Sequence, residues 1–200
     1  MTNLNRRNFL GFTSAFIGSA VAAPAFATPS TTEKWDMTTD IVIVGAGGAG
    51  LAAAAQAGLL GVKCIVLEKE PVVGGSSVIC GGKWAVSGSE LQIKQGVKDS
   101  EELFVKDMMD CGMQKNDLEV VKAYVKENNE TWKWVHTVGK IEPLALNMAG
   151  GQSVPRSLVV KPGQVIEFLR KTATDKGAQI MTRVKAEQVG GQAVLGRQDS

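Results

Sequence analysis

One segment of the 200-residue chain constrains the fold more than any other, because a strand, a glycine turn, a helix, a second strand and an acid follow one another directly. The first strand is the run Asp40–Val44, whose β-branched residues are typical of a parallel strand buried on both faces. The glycine-rich residues 45–50 come next, and an alanine-rich helix follows at 51–60. A second strand at 64–67 ends at Glu68. This order predicts a βαβ unit that binds a dinucleotide.

Each glycine of the turn has a physical reason in such a unit. Gly45 permits the tight turn, Gly47 lets the backbone approach a pyrophosphate, and Gly50 lets the helix pack closely on the sheet. The helix begins near Gly48, where free N–H groups attract phosphate charge. Glu68 can accept hydrogen bonds from ribose hydroxyls. The alternative, glycines that serve only the turn, does not explain an acid placed where the second strand ends.

A second set of glycines favours FAD over NAD. Gly74 and Gly75 precede the hydroxyls of Ser76 and Ser77, and the pair Gly81-Gly82 follows shortly afterwards. A longer ligand needs open backbone beyond the ribose acid if its pyrophosphate and flavin lie across the sheet. The two serines can donate hydrogen bonds to phosphate oxygens there.

The stretch from Asp40 to about Gly82 resembles the fumarate reductase and succinate dehydrogenase flavoprotein family. It is most similar to soluble periplasmic members related to flavocytochrome c, urocanate reductase and 3-ketosteroid dehydrogenase. The resemblance implies that FAD is the cofactor and that residues from several segments hold it. These are Ala49 and Glu68 for the adenosine half, Gly75, Ser76 and Ser77 near the phosphates, Gly81 and Gly82 against the flavin, and the backbone of Val184 at the adenine.

The expected fold class is therefore α/β, a Rossmann-like FAD-binding domain with a parallel sheet and helices, incomplete at the C-terminus. It occupies 37–200, with a helical insert at about 100–137. The resemblance implies hydride transfer from flavin to the double bond of an unsaturated carboxylic acid, a small-molecule substrate, and a separate electron donor such as a cytochrome or quinol. Catalytic residues are expected beyond Ser200. One alternative is a 3-ketosteroid dehydrogenase-like enzyme, which the run Gly81-Gly82-Lys83-Trp84 resembles. The other is a truncated fragment or flavin-binding module without activity.

The first 27 residues have the pattern of an export signal. Arg6 and Arg7 precede an apolar stretch that ends in small residues, which resembles a twin-arginine signal cleaved after Ala27. Polar and proline interruptions argue against the alternative, a membrane anchor, and no stable membrane span is expected. Residues 28–36 are predicted to be a linker, and the mature protein is expected to be periplasmic.

Charge and cysteine content exclude other classes of protein. The chain has 22 basic and 20 acidic residues, a net charge of +2, which is too balanced for a nucleic-acid binder. Three scattered cysteines, Cys64, Cys80 and Cys111, form neither a disulfide framework nor a metal site. No metal is therefore expected.

Beyond the nucleotide-binding unit, hydrophobic periodicity predicts helices at 100–111, 117–136 and 164–176, and strands at 179–183, 186–189 and 193–195. Tyr124, Trp132 and Trp134 are expected in the core rather than on flavin, and His136 is expected to be structural or superficial. Residues 148–160 are predicted to form a loop. Arg156 in that loop is expected to be a solvated charge, and the alternative is that it faces a substrate carboxylate.

Overall fold

A three-stranded parallel sheet organises the chain in the computed structural model, which describes residues 35–190 and 193–198. Its strands are β1 (Ile41–Val44), β2 (Cys64–Leu67) and β6 (Gln179–Met181), in the order β1-β2-β6. Both pairings are parallel. The predicted α/β class with a parallel sheet and helices is confirmed.

Two helices cover one face of this sheet, α1 (Gly48–Leu59) and α6 (Pro162–Asp175). Alanines on α1 give it a narrow face, so that α6 and β2 approach closely. The core formed in this way includes Leu51, Ala54, Val66, Leu169 and Ala173, all at most 6% exposed. Removing this apolar surface from water is the main stabilising contribution of the layer.

The expectation that the first strand is buried on both faces is wrong. Ile41, Val42 and Val44 are 42%, 39% and 57% exposed, and only Ile43 packs against the core beneath α1. The reason is topological: β1 is the edge of the sheet among the described strands and pairs only with β2. A β-branched run shows that a strand is suited to burial, but neighbours in the fold decide whether burial occurs.

A second sheet is antiparallel and was not expected from the sequence. It contains β3 (Lys83–Ala85), β4 (Ala145–Asn147) and β5 (Ser157–Val159), in the order β3-β5-β4. The prediction of a loop over 148–160 is therefore wrong at its end, where β5 is the central strand. Three-residue strands are too short to show an alternating pattern, and β5 is held by partners on both sides, with Leu158 fully buried.

Four helices lie between β2 and β4: α2 (Gly75–Val78), α3 (Glu90–Lys94), α4 (Glu101–Cys111) and α5 (Leu118–Thr137). The predicted α4 begins at its cap Ser100, whose hydroxyl accepts a hydrogen bond from the Leu103 N–H. The buried stripe of α5 consists of Val121, Val125, Asn129, Trp132 and Val135. The helical periodicity of the sequence predicts Leu118 and Asn128 on the same stripe, but Leu118 is exposed and Asn128 is half-buried.

An antiparallel hairpin of β7 (Val184–Gly190) and β8 (Ala193–Gln198) follows the parallel sheet, as predicted. The predicted export signal at 1–27 and most of the predicted linker lie outside the described residues. Within the described residues, no helix is both long enough and apolar enough to cross a membrane.

Candidate functional site

The glycine turn between β1 and α1 has the geometry that the sequence predicts. Gly45 has a φ of +97°, and its N–H donates to the Leu67 carbonyl oxygen over 2.8 Å, which ties the turn to β2. A methyl group on Gly50 would overlap the Gly45 carbonyl oxygen. Gly50 is therefore required for the close approach of helix and strand.

The N-terminus of α1 is open. Gly47 caps the helix with extended backbone and has no side chain to cap it, and the first turn has no acidic residue. The nearest atom to a methyl group built on Gly47 would be the Gly74 carbonyl oxygen, at 3.9 Å. Ala49 in the first turn is exposed. A helix start without an acidic residue attracts an anion such as a pyrophosphate.

Glu68 lies at the end of β2 and braces the glycine turn. Its carboxylate accepts hydrogen bonds from the Ala46 N–H at 2.7 Å and the Glu70 N–H at 2.9 Å. The residue is only 7% exposed. Each carboxylate oxygen can accept more than one hydrogen bond, so these contacts orient Glu68 and leave acceptor capacity for ribose hydroxyls.

The second glycine set lies directly against the first. The Gly74 N–H donates to the Ala46 carbonyl oxygen at 2.8 Å, and Gly74 also forms a parallel bridge with Gly47. Gly75 and Ser76 open α2 and are exposed. The Ser77 hydroxyl accepts a hydrogen bond from the Gly48 N–H at 3.2 Å. Residues 45–50 and 74–77 thus form one surface at the start of α1, which we call the glycine cradle.

The pair Gly81-Gly82 joins this cradle to the second sheet. Gly82 has a φ of +67°, and its carbonyl oxygen accepts from the Val160 N–H at 2.8 Å. A methyl group on Gly82 would overlap the Val160 carbonyl oxygen, whereas Gly81 faces open space.

A cavity of about 160 Å³ lies between the cradle and this pair. Its lining is largely apolar and includes Gly48, Ser77, Cys80, Gly82, Trp84 and Ile166.

Val184 lies beside the ribose-side acid. Its N–H donates to the Glu68 carbonyl oxygen at 2.8 Å, and the Arg183 N–H donates to the Glu70 carbonyl oxygen at 3.2 Å. The structure thus brings together Glu68 and Val184, two of the three residues predicted for the adenosine half. Because the Val184 N–H already has a partner, the contact between its backbone and adenine stays a prediction.

These residues fit FAD. The cradle leaves room where a Cβ would intrude, a helix start whose cap residue has no side chain offers N–H groups to phosphate, and an oriented carboxylate lies at the end of the neighbouring strand. All of them lie at the carboxyl ends of parallel strands, where open α/β sheets bind their ligands.

Both interpretations of Arg156 are wrong, because its side chain is fully buried in an ion-pair cluster. It donates to Asp99 from Nε at 3.0 Å and from Nη2 at 2.9 Å, and to Asp107 from Nη1 at 2.6 Å. The guanidinium carbon lies 4.7 Å from the centre of the Phe104 ring. Sequence reasoning missed both aspartates, since they lie 57 and 49 residues before Arg156 and no local pattern links them.

Hydrogen bonds keep Asp107 ionised in this buried setting. Desolvation raises the pKa of its carboxyl, but the N–H and hydroxyl of Ser153 and the Arg156 guanidinium outweigh that effect and lower the pKa below its ordinary value. Gln92 completes the cluster by donating to Asp99 and to the Pro155 carbonyl oxygen, each at 2.8 Å.

The aromatic residues of α5 are structural. Trp132 is 5% exposed, and Trp84 packs edge-on against it. The His136 ring stacks on the Trp132 ring with a distance of 5.5 Å between their centres. Trp134 contacts Phe168. Tyr124 departs from the expected core position, since it is 48% exposed.

Comparison with known proteins gives a consistent result. Residues 40–194 match the family described as FAD binding domain. The acrylate reductase flavoprotein subunit of Shewanella woodyi is 35% identical over 157 residues, which cover 77% of this chain and 31% of the relative. A probable fumarate reductase of Shewanella frigidimarina is 32% identical, with 76% of this chain and 26% of the relative covered. The chain therefore spans less than a third of the length of these curated relatives.

A solved structure agrees with this result. The open conformation of a flavocytochrome c3 fumarate reductase superposes with a TM-score of 0.70 at 29% identity, over 76% of this chain and 28% of the other. Because the family match spans most of the chain and includes every residue of the glycine cradle, the chain belongs to the FAD-binding domain family of flavin-dependent oxidoreductases to which fumarate reductase flavoproteins belong, and its cofactor is FAD.

Proposed function

We propose that this chain anchors FAD in an exported oxidoreductase that reduces the carbon–carbon double bond of an unsaturated carboxylic acid. The observation that carries this proposal is the chemistry that three of its relatives share, although a vinyl phenol reductase at 30% identity is named for a double bond without a carboxylate. Those at 30–35% identity include proteins named for reducing acrylate, fumarate and urocanate. All three molecules have a carboxylate conjugated to the double bond, so the substrate class follows from what they share.

Each part of the site has a role in this proposal. The start of α1, with Ser76 and Ser77, holds the pyrophosphate, and Glu68 holds the ribose. Gly81 and Gly82 provide a surface without side chains for the flavin. When bound, FAD supplies hydride transfer to the substrate. The residues of this chain therefore bind and orient the cofactor, and we assign none of them to proton transfer.

The proposed electron donor is a separate cytochrome or quinol. Proteins similar to this chain include a fumarate reductase named for its cytochrome and a quinol-fumarate reductase, the latter similar in fold alone. Because the donor is a separate molecule, the first test supplies reduced viologen dye in its place. The protein for this test is expressed in its own host from its own gene together with the neighbouring genes.

The expected result is oxidation of the dye by acrylate, fumarate or urocanate, with loss of activity in the Gly50→Ala variant. A protein that binds FAD and reduces none of these acids contradicts the proposed substrate class. Oxidation of a 3-ketosteroid with a dye acceptor would support the alternative instead. FAD binding without either reaction would support a flavin-binding module.

No structural observation favours the steroid alternative. Its basis in the sequence is the run Gly81–Trp84, but the Trp84 ring packs against Trp132 and its Nε1 donates to Asn128 at 2.7 Å. The ring is therefore engaged within the fold, and its presence does not discriminate between substrates.

Export is proposed from the pattern of residues 1–27. The test is to express the gene in its host and measure the mass of the protein in the periplasmic fraction. We expect a chain that begins at Thr28, and we expect a double Arg6→Lys, Arg7→Lys variant to accumulate uncleaved in the cytoplasm. Normal export of the double variant would contradict the twin-arginine route.

A further inference from the structure

Arg183 follows β6 at the same edge of the sheet as the FAD-binding residues. In the order β1-β2-β6, the glycine turn follows β1 and Glu68 follows β2. Pyrophosphate binds at a helix start and ribose at the acid. Because these two groups and the base follow one another along the adenosine half of FAD, the adenine falls at the end of the third strand, next to Arg183.

The backbone of Arg183 is held in an unusual conformation at this point. Its φ is +58°, in the left-handed region that L-residues seldom adopt. The Arg183 N–H donates to the carbonyl oxygen of Glu70, and the N–H of the next residue, Val184, donates to the carbonyl oxygen of Glu68. Such a conformation persists when surrounding contacts impose it, so the position of Arg183 beside the ribose-side acid is well defined.

The side chain of Arg183 differs from those of the other described arginines in its ion pairing. Arg156, Arg170 and Arg197 each form an ion pair with an acidic residue. Arg183 is exposed, and its guanidinium has no partner among the residues that the structure describes. The cation is therefore available to a ligand at the edge of the sheet.

We propose that Arg183 is an FAD-binding residue whose guanidinium covers the adenine ring. A planar guanidinium stacks on aromatic faces, and its weak hydration makes this contact favourable. The proposal rests on the assignment of FAD to the glycine cradle and extends it to a side chain to which the sequence analysis gave no role in FAD binding.

The test measures ligand affinity of the full chain by calorimetry, with FAD, ADP and UDP as probes. ADP and UDP share ribose and pyrophosphate and differ in the base. Arg183→Asn removes the guanidinium while keeping a residue that tolerates positive φ. Stacking on a base contributes enough that we expect about tenfold weaker binding of FAD and ADP, with a smaller loss for UDP. Lys185→Ala, an exposed cation two residues away, is the matched control and should change none of the three.

The outcomes separate this proposal from the assignment of the cradle. Equal losses for ADP and UDP would mean that Arg183 acts on phosphate or ribose, which would overturn adenine stacking. Full affinity for FAD and ADP in Arg183→Lys would also overturn adenine stacking, because lysine keeps the positive charge but has no planar group. Unchanged affinity in Arg183→Asn would overturn the proposal while leaving the cradle intact. If the unaltered chain binds neither FAD nor ADP, the anchoring function fails and this proposal fails with it.

Discussion

At the scale of single residues, the buried guanidinium of Arg156 has the most demanding environment in the described chain. A charge without water must be paired and hydrogen-bonded, or it destabilises the folded state. Two aspartates and the face of Phe104 meet this requirement. Removing the cation would leave two buried carboxylates near each other with hydrogen-bond donors but no positive charge to balance them.

We therefore expect Arg156→Met to lower the free energy of unfolding by about 3–5 kcal/mol, the usual cost of removing one partner of a buried ion pair. Urea denaturation at neutral pH measures it. Arg170→Met is the matched control, because Arg170 pairs with Glu167 on the exposed surface of α6, and we expect a change of less than about 1 kcal/mol. Equal effects of the two substitutions would contradict a structural role of the cluster.

Asp107 gives the cluster a pH dependence. Despite burial, hydrogen bonds from Ser153 and Arg156 lower its pKa in the folded state, so it stabilises the fold above its unfolded pKa of about 4. This contribution is lost as pH falls through the lower, folded pKa. We expect the free energy of unfolding to fall less between pH 6 and pH 3 in Asp107→Asn than in the unaltered chain, as measured by urea denaturation. Parallel pH profiles would refute the assignment.

Local chemistry decides which residues of the site could be predicted from the sequence. Gly45, Gly50 and Glu68 could be predicted because the backbone turn, the close packing and the proposed ribose contact each demand one residue type at a fixed spacing. Arg156 could not, because its partners come from α4 and from the segment before it, through tertiary contacts that no spacing encodes.

At the scale of elements, the long helices could be predicted and the short strands could not. Helix α5 shows its buried stripe over 20 residues, whereas β3, β4 and β5 have three residues each. Strand β1 was identified but its burial was not, because burial of a strand depends on what lies beside it in the sheet.

The contact between α1 and β1 gives a prediction for an element pair. In Gly50→Ala, the methyl group must displace α1 from the Gly45 carbonyl oxygen, so we expect a large loss of stability and of FAD affinity. Gly150→Ala is the control, since a methyl group there meets no atom within 4 Å and the backbone has no positive φ. Thermal unfolding and FAD titration measure both variants. Normal FAD affinity in Gly50→Ala would mean that close packing of the helix is dispensable.

At the scale of the whole molecule, the two sheets of the chain meet at the glycine cradle, where we propose that FAD binds. The parallel sheet provides the glycine turn and Glu68, and the antiparallel sheet holds Gly82 through β5 and Val160. The site thus depends on both sheets, although only the parallel one could be predicted from the sequence.

Thiol labelling tests this arrangement across the chain. Cys80 and Cys111 are exposed, whereas Cys64 is buried and burial raises the pKa of its thiol. We expect two thiols to react rapidly with a disulfide reagent and the third to react only after unfolding. FAD should slow the reaction of Cys80, which adjoins Gly81, and should leave Cys111 unaffected, as peptide mass spectrometry would show. Equal labelling of Cys80 with and without FAD would contradict a flavin near that pair.

The Arg156 cluster also has a consequence for the order of folding. Its contact with Asp99 closes a loop of 57 residues, and contacts so distant along the chain form late compared with helices and short turns. An interaction absent from the transition state changes the unfolding rate and leaves the refolding rate nearly constant. The cluster is therefore expected to slow unfolding. Stopped-flow measurements on Arg156→Met should show a faster unfolding rate with little change in the refolding rate.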